Sequence, residues 1–249
     1  MKKLTLIKII TGISIAIFII CIIIIFSQLN GCNERTEGYE ETVLYPSSLV
    51  QKEKYESPID WDDLKSKNPE IYAWIYIPNT QISYPVTQKT GNDTYYLSRD
   101  AYNNFYFGGS IMTESAYNAL SFDDPVNILY GHNMKSGAMF GTLQWTYSSR
   151  SSFDEHREII IYLPEKELHY KVWAAVPYSD EHLMVKFNQF MSDWQRQSFI
   201  EDILNTSSLG GQIDKDMDVG SDDSMIVLST CITGQSRRFL VIARLEAEK

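Results

Sequence analysis

Cysteine is scarce in this chain of 249 residues, and histidine nearly so: there are three of one and four of the other. No Cys-x-x-Cys pair occurs, which excludes a zinc knuckle. The His-Glu-x-x-His and Gly-x-Ser-x-Gly patterns are also missing, and no internal repeat is visible. Gly131-His-Asn-Met-Lys-Ser-Gly137 is bounded by glycines, but its lysine precedes the second glycine, so it is not a phosphate loop. An excess of basic residues is lacking too. Residues 1–29 hold Lys2, Lys3 and Lys8 and no acid, so the remainder has 19 of the 22 basic groups against all 32 acids. A domain that acidic is not a nucleic-acid binder, because phosphate contacts need clustered Lys and Arg.

What is abundant is apolar and aromatic. Apolar residues make up 44%, which excludes a disordered chain, and 16 Tyr, 11 Phe and 5 Trp suit a β-rich domain. Residues 9–26 are eighteen positions without a charge, mostly Ile. As a helix they reach roughly the thickness of a bilayer core. The expectation is a cytoplasmic tip and transmembrane anchor over 1–29, an extracellular stalk over 30–58, and a folded domain over 59–249. The lysines ahead of the apolar run keep the N-terminus cytoplasmic and put the domain outside a single-pass anchor at the cell membrane. A cleaved signal peptide is the alternative, but the run exceeds the ~7–15 residues usual for one and no small-x-small site follows closely. Leu29-Asn-Gly-Cys32 loosely matches a lipoprotein cleavage box, in which Asn30 fits badly.

Along the domain, Asp60-Trp-Asp-Asp-Leu-Lys predicts a short capped helix ended by Asn68-Pro69. Strands are expected at 72–77, 82–86, 108–112, 126–130, 158–163 and 168–176. A helix is expected over about 136–147, with Met139, Phe140, Leu143 and Trp145 on its apolar side. Another is expected over about 188–204, built on Phe190, Trp194, Phe199, Ile200 and Ile203. Residues 205–224 read as a polar loop rich in Gly and Asp. Met225-Ile-Val-Leu-Ser-Thr-Cys231 and Phe239-Leu-Val-Ile-Ala-Arg-Leu245 form a closing hairpin, with Cys231 ending one strand and Arg238 starting the next. About eight short strands with inserted helices predict a mostly β protein, a closed or nearly closed barrel.

Cys231 is the one cysteine inside the domain, outside any pairing framework. Exported cysteines are normally paired, so it is a nucleophile, a small buried hydrophobe, or the partner of Cys32 in a disulfide that would tether the core to the stalk. A nucleophile needs its thiolate, and a free thiol titrates near ~8.5, so a neighbouring imidazole or guanidinium is required. His132 ends a strand in a Gly-His-Asn turn, where a rigid scaffold presents reactive groups. His169 lies mid-strand, and His156 and His182 sit in charged, loop-like segments as expected of solvated histidines. Arg237 and Arg238 lie on opposite faces of their strand, and alternation alone does not say which faces Cys231.

These residues resemble a family. Asn68-Pro-Glu-Ile-Tyr-Ala-Trp-Ile-Tyr-Ile-Pro78, Tyr84-Pro-Val86, Tyr96-Leu97, Leu129-Tyr-Gly-His132, Leu228-Ser-Thr-Cys231 and the downstream Arg238 are similar to the sortases, most of all class B. The resemblance covers roughly residues 60–245 and implies a closed eight-stranded β-barrel with N-terminal helices and a helix inserted before the cysteine strand. It implies a catalytic Cys231, His132 and Arg238, and substrate contacts from Leu97, Tyr130, Ser229 and Thr230. The implied reaction is transpeptidation: cleavage after a threonine in the C-terminal sorting signal of secreted proteins, then transfer to the amine of a peptidoglycan precursor. This chemistry needs no metal and no organic cofactor. A cysteine hydrolase using the same residues, and a non-catalytic tethered binding barrel, are the competing readings.

Overall fold

Helix α1 (Trp61–Lys67) is the first regular element of the computed structural model, which describes residues 55–206 and 210–249. The apolar run at 9–26, nearly all of the stalk and Cys32 lie outside the described residues. Among those described, no helix is long and apolar enough to cross a membrane. Asp60 caps α1 by accepting from the Asp63 N–H, as its sequence predicts, and Asn68 ends it in extended backbone.

Nine strands follow: β1 (Ile71–Tyr76), β2 (Ser83–Thr87), β3 (Ile111–Met112), β4 (Val126–Tyr130), β5 (Glu158–Tyr162), β6 (Glu167–Ser179), β7 (Gln212–Ile213), β8 (Met225–Cys231) and β9 (Arg237–Glu248). Their order is β5-β1-β2-β3-β4-β8-β9-β6, and β6 pairs back onto β5. That ring is a closed eight-stranded barrel, as expected. The thirteen-residue β6 closes it by pairing residues 167–171 with β5 and residues 168–179 with β9, and Ala174 and Ala175 also pair with the short β7 outside the ring. Closure leaves the ring without an exposed edge.

Barrel strands buried on both faces read as continuous apolar runs. In β8, Ile226 and Leu228 point into the barrel with Tyr72, Ile75, Val241 and Leu168. Met225 and Val227 point outward and pack under a second apolar layer. Helix α5 (Asp193–Asn205) supplies that layer through Phe199, Ile200 and Ile203.

Both predicted helices are shorter than expected. Over 136–147 only α2 (Leu143–Thr146) forms, because Gly137 and Met139 have positive φ and the Met139 N–H donates to the Tyr84 hydroxyl instead of a helical carbonyl. Over 188–204, Ser192 starts α5 with a capping box that includes Gln195. The preceding Asn188, Gln189 and Phe190 all have positive φ, in a turn that buries Phe190 against Phe187 and Phe199. Tertiary aromatic packing there overrides helical periodicity, and Trp194, expected on the apolar face, is 75% exposed. Two helices went unread in the sequence: α3 (Arg150–Glu155), capped by Ser149, and the single turn α4 (Leu183–Lys186).

Candidate active site

β4 and β8 run parallel in register, Tyr130 beside Ser229. Parallel neighbours deliver their C-terminal ends to the same rim, so His132, two residues past β4, emerges beside Cys231, the last residue of β8. The chain ties the two ends together: the Gly131 N–H donates to the Ser229 carbonyl at 3.2 Å, and Asn133 Nδ2 to the Cys231 carbonyl at 2.8 Å. Gly131 is needed there, since a Cβ would come within 2.6 Å of both Ile111 and Phe140. On the other side of β8, the hairpin register pairs Cys231 directly with Arg238. The Cys231 thiol is free and exposed, and Arg238 Nη1 donates to its sulfur at 3.1 Å.

Cys231, His132, Arg238, Leu97, Tyr130 and Ser229 all line one open cleft of about 170 Å³. Thr230 is the exception among the residues expected to touch substrate. Its side chain is fully buried on the opposite face, shared with its partner Phe239, and its hydroxyl has no hydrogen-bond partner among the described residues. The period of two that sends Ser229 and Cys231 to the cleft sends Thr230 into the barrel.

Leu97 forms a wall of the cleft and is 43% exposed. It ends a 3₁₀ turn (Tyr95–Leu97) pinned from below by Tyr96, whose buried hydroxyl accepts from Asn68 Nδ2 at 2.7 Å and donates to Glu70 at 2.6 Å. The Leu97 carbonyl in turn accepts from His132 Nε2 at 3.0 Å. A carbonyl only accepts, so this contact fixes the imidazole with a proton on Nε2. Phe107 stacks over the same ring at 6.5 Å.

Gly109 is what allows that arrangement. Its φ is +59°, and a Cβ would lie 2.5 Å from the Tyr96 carbonyl and 2.9 Å from the Leu97 carbonyl. Gly109→Ala is therefore expected to push the wall off His132 and lower peptide turnover by roughly tenfold or more while the barrel still folds. Steady-state kinetics with a melting curve checks this; unchanged kcat/KM would show that the Leu97 carbonyl does not position His132.

The other histidines divide in an unexpected way. His156 Nδ1 donates locally to the Ser152 carbonyl at 2.8 Å, and His169 bridges Glu158 and Glu167, far from the cleft. His182 instead lines the cleft, with Nε2 3.1 Å from Glu114 Oε1. Glu114 and His182 were missed in the sequence, where nothing links positions 68 apart. Burial first, and then the Glu114 carboxylate, pushes the neighbouring Tyr130 phenol above its ordinary range, against an opposing pull from Arg238. Among the described residues no group of three or more His, Cys, Asp or Glu is arranged to hold a metal ion.

No family model matches the chain. In sequence it is similar to sortase B of Staphylococcus aureus, 27% identical over 241 residues that cover 93% of this chain and 95% of the relative. In structure it is similar to sortase B from Bacillus anthracis in complex with AAEK1, with a TM-score of 0.62 at 31% identity, covering 74% of this chain and 82% of that one. The Staphylococcus aureus sortase B–substrate complex gives a TM-score of 0.64 at 26% identity, covering 74% and 83%. The closed barrel, its cleft and these relatives make the protein a cysteine transpeptidase. Within that class the chain belongs to the sortase family, class B.

Proposed function

We propose that Cys231 is the nucleophile, His132 the general acid and base, and Arg238 the oxyanion donor of a reaction on the C-terminal sorting signal of secreted proteins. The observation that carries this reading is the 3.1 Å contact from Arg238 to the Cys231 sulfur, in a cleft that His132 and Leu97 also line. The sulfur attacks the carbonyl of a threonine in the signal. The peptide C–N bond breaks, a thioester forms, and His132 gives a proton to the departing amine. A peptidoglycan-precursor amine then attacks the thioester and passes a proton to His132. An amide forms and the thiolate leaves. Leu97, Tyr130 and Ser229 line the channel that holds the peptide.

The test is mass spectrometry of products from a sorting peptide, with and without a supplied amine. Amide product with amine present, and a thioacyl adduct on Cys231 without it, are expected. Free acid alone, at any amine concentration, would make the protein a hydrolase. Leu97→Ala or Tyr130→Ala in the same assay should slow peptide turnover and leave thiol alkylation unchanged.

The same reading assigns residues 1–29 to a cytoplasmic tip and membrane anchor, 30–58 to a stalk and 59–249 to the catalytic barrel outside the cell. It is supported by the eighteen-residue uncharged run with lysines only ahead of it. Protease added to intact cells should digest the barrel; a protected barrel would invert or abolish this topology.

A further inference from the structure

The Glu114–His182 pair has hydrogen-bonding capacity that the fold leaves unused. Oε1 of Glu114 takes the hydrogen bond from His182 Nε2 at 3.1 Å. Oε2 lies 3.0 Å from the same nitrogen and has no hydrogen-bond partner among the described residues. In the neutral tautomer whose Nε2–H faces the carboxylate, Nδ1 of His182 is an acceptor. It too is buried without a partner among the described residues. The imidazole is held between Tyr117 and Tyr130, at ring distances of 5.2 and 6.4 Å. Two acceptors are thus fixed on one rigid aromatic-lined patch and lack donors, which is costly unless something supplies them.

The charges around the patch point the same way. The cleft and the smaller cavity adjoining it share Tyr130, His182, Ser229 and Arg238. Asp93, Glu114, Asp180 and Glu181 line the two, against a single guanidinium, Arg238, which is engaged with Cys231. Asp93 is satisfied by Ser115, Glu181 by Lys186 and Ser179, and Asp180 is exposed to solvent, so Glu114 is the carboxylate with a buried oxygen left open. The complement of two acceptors in an acidic cavity is a cationic group with several N–H donors.

We infer that Glu114 and His182 form a specificity subsite that receives a primary ammonium group of the reaction's substrates. This rests on the reading of Cys231 as the acyl-forming nucleophile. An ammonium reaches this cleft from two sources, a lysine side chain of the sorting signal or the incoming acceptor amine, and a two-armed experiment separates them. In the first arm, full-length wild type, Glu114→Gln, Glu114→Asp and His182→Gln are acylated without amine. The peptides carry lysine or norleucine at each position upstream of threonine. In the second arm, preformed thioacyl-enzyme is challenged with graded amounts of a small primary amine.

The expected result is that wild type favours lysine over norleucine at one position, or saturates with amine. Glu114→Gln should then lose that preference, or raise the amine's half-saturation, by roughly tenfold or more, as for a lost charge-assisted hydrogen bond. Glu114→Asp, which keeps the charge, should recover part of the loss. Acylation by the norleucine peptides should stay within about twofold, which a merely structural role would not allow. If Glu114→Gln leaves both arms unchanged, or slows lysine and norleucine peptides equally, the subsite is refuted. If wild type forms no thioacyl adduct with any peptide, the nucleophile reading falls first, and this inference with it.

Discussion

Replacing Cys231 with alanine is expected to abolish thioacyl-enzyme formation and cut peptide turnover by more than about 10⁴-fold, as for removal of other covalent nucleophiles. The fold should not suffer. Cys231 is exposed at the last position of β8, and the ties that set the rim run through its backbone, from Asn133 Nδ2 and from Gln144 Nε2 to its carbonyl. Those bonds survive the substitution, and losing an exposed thiol should change stability by no more than about 0.5 kcal/mol. Turnover and adduct mass are measured beside a thermal melt. A folded Cys231→Ala protein that cleaves the peptide within tenfold of wild type would move the nucleophile elsewhere.

The hairpin that carries this chemistry was legible because it is local. Two apolar runs with a short glycine-containing connection fix a register, and the register pairs Cys231 with Arg238. His132 was legible for a related reason: a strand ending in Gly-His-Asn must release its histidine at a barrel rim. Ring closure was legible as a class, but the thirteen-residue β6 that performs it shows in the sequence only as an unusually long apolar stretch. What failed was whatever depends on packing across the chain. Phe190 was expected in one helix with Phe199 and Ile203, yet it packs from a left-handed turn. His182 looked like a solvated residue in an acidic segment. Only the folded chain brings Glu114 from beyond β3 to its Nε2. Thr230 is a different kind of miss, since strand alternation applied to Ser229 and Cys231 already sends it inward.

The same alternation bears on the two arginines, now with the faces known. Arg238 shares its face with Leu240 and Ile242, which pack in the outer layer with Val227, and that is the face on which Cys231 and Ser229 also lie. Arg237 shares its face with Phe239 and Val241, whose side chains fill the barrel. Its register partner is Ser179 of β6 rather than Cys231. Only Arg238 can therefore reach the sulfur, and it does so through Nη1. If its guanidinium holds a developing oxyanion, Arg238→Ala should lower kcat by on the order of 10²–10³. Arg238→Lys should recover little, because an ammonium is a point donor and cannot reproduce the planar fork. Arg237→Ala should stay within about threefold of wild type, as expected for a part-exposed charge that the register keeps away from the sulfur. The measurement is kcat for the three variants on one sorting peptide, with thiol alkylation to show that Cys231 remains accessible. A severe defect in Arg237→Ala beside a near-normal Arg238→Ala would reverse the assignment, and full activity in Arg238→Lys would reduce the role of Arg238 to charge alone.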